Sequence, residues 1–94
     1  MLFVLICEDK PDSLDLRLAN RDKHLAFVGT QGDKVRLAGP MFADDGETMA
    51  GSLFIVEADS KQDVEAMNVS DPYTQAGLFG KVTIRPFKQV IPTP

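Results

Sequence analysis

The stretch Leu2-Phe3-Val4-Leu5-Ile6-Cys7 and its later counterpart Leu53-Phe54-Ile55-Val56 decide the fold. Both are short, β-branched and aromatic, so they read as strands. Side chains alternate across a strand, yet neither run alternates in polarity. Phe3 and Leu5 share one face, while Leu2, Val4 and Ile6 share the other. Phe54 and Val56 face one way, and Leu53 and Ile55 face the other. A strand that is apolar on both faces belongs in the middle of a sheet and is covered twice.

Working outward, strands are expected at 2–8, 34–39, 51–58 and 81–87. Pro11-Asp12-Ser13 opens a helix, with Asp12 or Ser13 as its cap. Leu14, Leu18, Leu25 and Val28 recur at helical spacing and predict its buried stripe. Gly29 and Gly32 are expected to end it. Gly39-Pro40 closes the second strand in a tight turn, and Ala43-Asp44-Asp45-Gly46-Glu47-Thr48 is a polar loop. Asp59 and Ser60 cap a second helix that runs to about Val69, with Gln62 or Asp63 placed for a capping box. Asp71-Pro72 breaks that helix, because a residue before proline avoids helical geometry. A short helical turn follows and ends near Gly77, and Pro86 places the last strand at an edge. Pro92-Thr93-Pro94 is a loose tail. The order β-α-β-β-α-β, with right-handed crossovers, gives an α+β, ferredoxin-like domain: a four-stranded antiparallel sheet with two helices on one face. Its other face would be bare and apolar. A second copy is the expected cover, giving a homodimer with sheet packed on sheet.

A chain of 94 residues with 44% hydrophobic and 26% charged residues is expected to be one domain, residues 1–94, with a modest core. Its net charge of −4 argues against nucleic acid and against anionic membrane surfaces. The apolar opening is too short to span a bilayer and lacks the basic start of a signal peptide, so the expected location is the cytoplasm. Cys7 is the only cysteine; it has no intrachain partner and reads as a small buried hydrophobe. One histidine and one distant cysteine make no zinc site, and the acidic 44–47 loop lacks calcium-loop spacing. No phosphate-cradling or dinucleotide glycine pattern is present. Neither a metal nor an organic cofactor is expected.

The chemistry concentrates on His24, the single histidine. Imidazole titrates near neutrality, and an aspartate can orient it for proton transfer. Asp71 is the candidate partner; before Pro72 it is equally a helix cap, and the two roles are compatible. Arg17, Arg21 and His24 fall at i, i+4 and i+7 on one flank of the first helix. They could bind an anionic or enol-like ligand, or they could simply form a helix edge with snorkelling arginines. Ser52 could hydrogen-bond a ligand; a nucleophilic Ser52–His24–Asp71 set lacks the surrounding glycine elbow. Tyr73 either offers its hydroxyl to the site or packs, and Gly39 could bring backbone close to the pocket.

Phe3–Asp9, Asp12-Ser13-Leu14 with Arg17, Arg21 and His24-Leu25, Ala38-Gly39-Pro40, Gly51-Ser52, Asp71-Pro72-Tyr73 with Ala76-Gly77, and Arg85-Pro86-Phe87-Lys88 keep a familiar relative order. In these stretches, nearly end to end, the chain resembles the YciI-like (YCII-related) family. The resemblance implies a dimeric α/β barrel of two ferredoxin-like subunits. It also implies a small-molecule cleft centred on a histidine/aspartate pair, placed at His24 and Asp71 with Ser52 nearby. One branch of the family removes chloride from a chlorinated hydroxyquinol; the wider superfamily holds muconolactone isomerases and cofactor-free monooxygenases. The loop at 42–50 looks shorter than in some relatives. The expectation is a cofactor-free lyase, such as a dehydrochlorinase, or an isomerase. Its ligand would be small and anionic or phenolic; His24 would be the general base or acid, with Asp71 holding it and Arg17, Arg21, Ser52, Tyr73 and Gly39 around the ligand. The alternative is a non-catalytic ligand-binding or accessory protein.

Overall fold

A computed structural model describes residues 1–94. Strand β1 (Leu2–Asp9) leads to helix α1 (Leu14–Thr30) and, after a single 3₁₀ turn, to β2 (Val35–Phe42) and β3 (Met49–Glu57). Helix α2 (Lys61–Ser70), the short α3 (Pro72–Gln75) and β4 (Phe79–Phe87) complete the chain. The four strands form one antiparallel sheet in the order β2-β3-β1-β4. This is the expected ferredoxin-like α+β arrangement, and the two doubly apolar strands are its two central ones. Pro86 lies on β4, an edge strand, where a missing N–H breaks no inner ladder.

The core lies on the helix side of the sheet. Phe3, Leu5 and Cys7 of β1 and Phe54 and Val56 of β3 pack against Val64 of α2. Full burial of side chains this size contributes roughly 1.5–3 kcal/mol each. Gly51 is required where it stands: a Cβ there would lie 2.6 Å from the Cys7 carbonyl oxygen. The opposite face is open and keeps its apolar side chains in rows. Leu37, Ile55, Val4 and Arg85 align across the four strands, and Gly39, Leu53, Ile6 and Thr83 form the next row.

Four local expectations need correction. First, the leucine stripe of α1 is not buried. Leu14, Leu18 and Leu25 are 37%, 51% and 48% exposed, while Arg17 and His24 are buried against the sheet. Apolar periodicity alone fails here because the buried groups have polar partners waiting for them. Second, Gly39-Pro40 makes no turn. Both residues sit inside β2, opposite Leu53 and Ser52, and proline is tolerated because β2 is an edge. Gly39 does border the cleft described below, but a Cβ there would touch nothing within 4 Å, so no close approach demands glycine. Third, α1 runs past Gly29, and it is Gly32 that takes a positive φ of 59° after the helix. Fourth, Ser13 occupies the cap of α1 without a side-chain bond, and Asp12 holds a positive φ of 57°. Ser60 does cap α2, accepting from the Asp63 N–H at 3.2 Å.

Candidate active site

Two buried polar assemblies hang from α1, one helical face apart from its leucines. The first starts at Asp9, the last residue of β1. The chain turns at 10–13 and α1 brings Arg17 back over Asp9. Arg17 Nε and Nη2 donate to the two Asp9 carboxylate oxygens at 2.7 and 2.9 Å, a fork-on-fork pair. Nη2 also donates to Ser52 Oγ at 2.8 Å. Burial pushes the guanidinium down, but the Asp9 hydrogen bond and charge outweigh it and raise its pKa overall. Arg17 is therefore a fixed cation whose Nε and Nη2 are already engaged.

Two helical turns further on, His24 points into the same layer. Its Nδ1 lies 2.9 and 3.0 Å from the Asp71 carboxylate oxygens. Asp71 Oδ1 also accepts the Tyr73 backbone N–H at 2.9 Å, so this carboxylate both caps α3 and holds the imidazole. Nδ1–H donating to Asp71 assigns the tautomer with Nε2 as the free, basic nitrogen. The Tyr73 ring stacks on the imidazole at 3.9 Å and 13°, and Phe54 meets it edge-on at 6.0 Å. Arg17 Cζ sits 4.6 Å from the Tyr73 ring centre. Ring and imidazole are thus fixed in plane by Asp71 and face-on by Tyr73. Burial raises the Tyr73 hydroxyl pKa, with the Arg17 and Arg21 charges opposing it. The hydroxyl stays a neutral donor at neutral pH.

Between these assemblies lies a cleft of about 120 Å³. Helix α1 lends it Arg17, Arg21, His24, Leu25 and Val28; β2 lends Ala38, Gly39 and Pro40; Ser52, Phe54 and Tyr73 complete it. So Arg17, Arg21, His24, Ser52, Tyr73 and Gly39 come together on one cleft, with Asp71 directly behind His24. Asp9 was not anticipated. Its signal was present: an acidic residue ending a buried strand, eight residues before an arginine that had to go inside. Phe54 was assigned only to the core, yet it also walls the cleft. A larger cleft of about 520 Å³ lies between the end of α1 and α2 and contains none of these residues. Cys7 is sealed in the core, and burial, with the Asp71 charge adding to it, pushes its thiol up to about 12. It is no nucleophile at neutral pH. No three His, Cys, Asp or Glu side chains converge as a metal-binding group.

A ferredoxin-like domain with one helix-borne histidine, held by a capping aspartate beside a small cleft, is the class these features define. Residues 1–88 match the YCII-related domain family. Protein YciI of Escherichia coli O6:H1 is 40% identical over 97 aligned positions, which cover 96% of this chain and 99% of that protein. An uncharacterized protein of Haemophilus influenzae is 35% identical over the same span. The chain belongs to the YCII-related domain family. Among solved structures, 5-chloro-2-hydroxyhydroquinone dehydrochlorinase (TftG) of Burkholderia phenoliruptrix, in complex with 2,5-dihydroxybenzoquinone, superposes with a TM-score of 0.88 at 34% identity, covering 96% of each chain. An antibiotic biosynthesis monooxygenase, at TM-score 0.59 and 13% identity, shares the fold alone. No helix is long and apolar enough to cross a membrane.

Proposed function

We propose that this protein is a small-molecule enzyme of the lyase or isomerase kind, working without a redox cofactor. The observation that carries the reading is the 2.9 Å His24–Asp71 contact on the wall of a small cleft. The likeness to a dehydrochlorinase at 34% identity supports it. His24 Nε2 takes a proton from the substrate. Asp71 holds the tautomer and steadies the imidazolium that forms. A neighbouring guanidinium and the Tyr73 hydroxyl stabilise charge that develops on a substrate oxygen. Dehydrochlorination fits such a set, since it removes one proton and one chloride and needs no electron acceptor. The ligand is small and anionic or phenolic.

The test is chloride release from 5-chloro-2-hydroxyhydroquinone, followed by ion chromatography. We expect turnover by the wild type and a loss of about 10²–10⁴-fold in kcat for His24→Ala, the usual range for a removed acid–base group. Asp71→Asn, which keeps a capping side chain, should lose rate with little loss of fold. Unchanged turnover in His24→Ala would sink the assignment, and tight ligand binding without turnover would favour a binding protein.

A second copy is proposed to cover the open sheet face, supported by the apolar rows that run across it. Val4→Lys with Ile55→Lys should then yield monomers by light scattering. A cytoplasmic location is proposed, supported by the unpaired, buried Cys7 thiol.

A further inference from the structure

We infer that Arg21, not Arg17, selects the ligand of the His24 cleft, and that the ligand it selects is a single small ring bearing an ionised oxygen. This rests on the reading of the cleft as a small-molecule site.

The two arginines stand one turn apart on α1 and both border the cleft, yet their circumstances are opposite. Arg17 is 2% exposed. It gives two hydrogen bonds to Asp9 and one to Ser52, and Asp9 neutralises it at contact distance. To grip a ligand in place of these partners, it would strand a buried carboxylate, a costly exchange. Its work is to hold Ser52, Asp9 and the underside of Tyr73 in place; it is a positioning residue. Arg21 is exposed, makes no ion pair and gives no side-chain hydrogen bond. It leaves a planar fork of donors unused at the cleft, suited to an oxyanion. Its charge is felt within, where it helps oppose the upward push that burial gives the Tyr73 hydroxyl.

The rest of the cleft specifies what carries that oxyanion. Leu25, Val28, Ala38, Pro40 and Phe54 give the cleft of about 120 Å³ its apolar lining. An apolar cavity of roughly 150 Å³ holds one benzene ring. One ring therefore fits partly sunk, with a substituent left at the mouth. The Asp71 carboxylate, hydrogen-bonded behind His24, disfavours a second negative charge beside the imidazole. A ring oxyanion is thereby sorted to the Arg21 side, which turns the opposite ring edge toward the imidazole.

The experiment compares two rings of one shape: 4-nitrophenol, at a mildly alkaline pH where it is ionised, and 4-nitroanisole, which is neutral. Binding is followed by the methyl NMR signals of Leu25 and Val28, which localise it to the cleft, in wild type, Arg21→Gln and Arg21→Lys. Arg21 makes no bond within the protein, so thermal melting should match wild type in both variants. Loss of a charged hydrogen bond corresponds to about tenfold or more in affinity. We expect Arg21→Gln to weaken the nitrophenolate by about that factor and the anisole less than twofold, with Arg21→Lys in between. Cleft binding of the nitrophenolate that is unchanged in Arg21→Gln overturns this inference alone. No binding of either ring by wild type fails the underlying reading of the cleft, and this inference with it.

Discussion

The two long faces of α1 are reversed from those of an ordinary surface helix. Its inward face carries Arg17 and His24, both nearly sealed, and the partly buried Val28, while Leu14 and Leu18 look outward and Leu25 stands half-exposed at the cleft. Helix α2 is closer to the usual arrangement, with Val64 turned into the core and its charged residues outside, although it also buries Asn68. The difference teaches where packing yields to chemistry. Burying a guanidinium and an imidazole is costly unless each finds a full set of partners. Here the partners come from other elements: Asp9 from β1, Ser52 from β3 and Asp71 from the start of α3. No buried side-chain nitrogen or oxygen is left without a partner. The inverted helix is tolerable because three other elements complete it.

The largest test of that contrast removes Arg17. Arg17→Met keeps the length and leaves Asp9 buried without its cation, and should cost about 3–5 kcal/mol in urea unfolding. A loss below about 1 kcal/mol would mean that water reaches Asp9 and that the inward face is not dry. Alkali gives the middle-sized effect. The folded protein holds the Cys7 thiol protonated up to about 12, against 9.0 for a free thiol. A raised pKa contributes stability that is complete below pH 9 and lost as pH climbs toward 12. Between those limits the unfolding free energy should fall by at most ~1.4 kcal/mol per pH unit from this group. Tyr73, also raised, adds to the fall at the upper end. Cys7→Ala should start less stable but decline less steeply. Equal slopes for the two proteins would remove Cys7 from the account. The smallest effect belongs on the outward face. Leu14→Gln and Leu18→Gln should each change stability by only about 0.5 kcal/mol or less, as exposed positions do. A cost above about 1 kcal/mol at Leu18 would show that something covers those leucines in solution.

The same contrast explains what could be read from the sequence. The central strands were legible because two apolar faces leave a strand nowhere else to go. The dual character of Asp71 was legible because Asp-Pro announces a cap and a cap fixes its own carboxylate. The polarity of α1 was not, since hydrophobic periodicity assigns leucines to the inside by default. Only the acceptor at Asp9, far along the strand and silent in the helix pattern, reverses that assignment. Gly39-Pro40 misled for a related reason: such a pair signals a turn locally, while an unpaired sheet edge lets it continue as strand.

The position of β1 has a consequence for how the molecule comes into being. The first strand of the chain is hydrogen-bonded on both sides, to β3 and to β4, and β4 is the last element. Until residues 79–87 leave the ribosome, one apolar edge of β1 stays unsatisfied and open to neighbouring chains. Folding thus completes only with a long-range pairing, and domains that rely on such pairings fold more slowly than those built from local contacts. Any early stop that deletes β4 should yield aggregate rather than a smaller working domain.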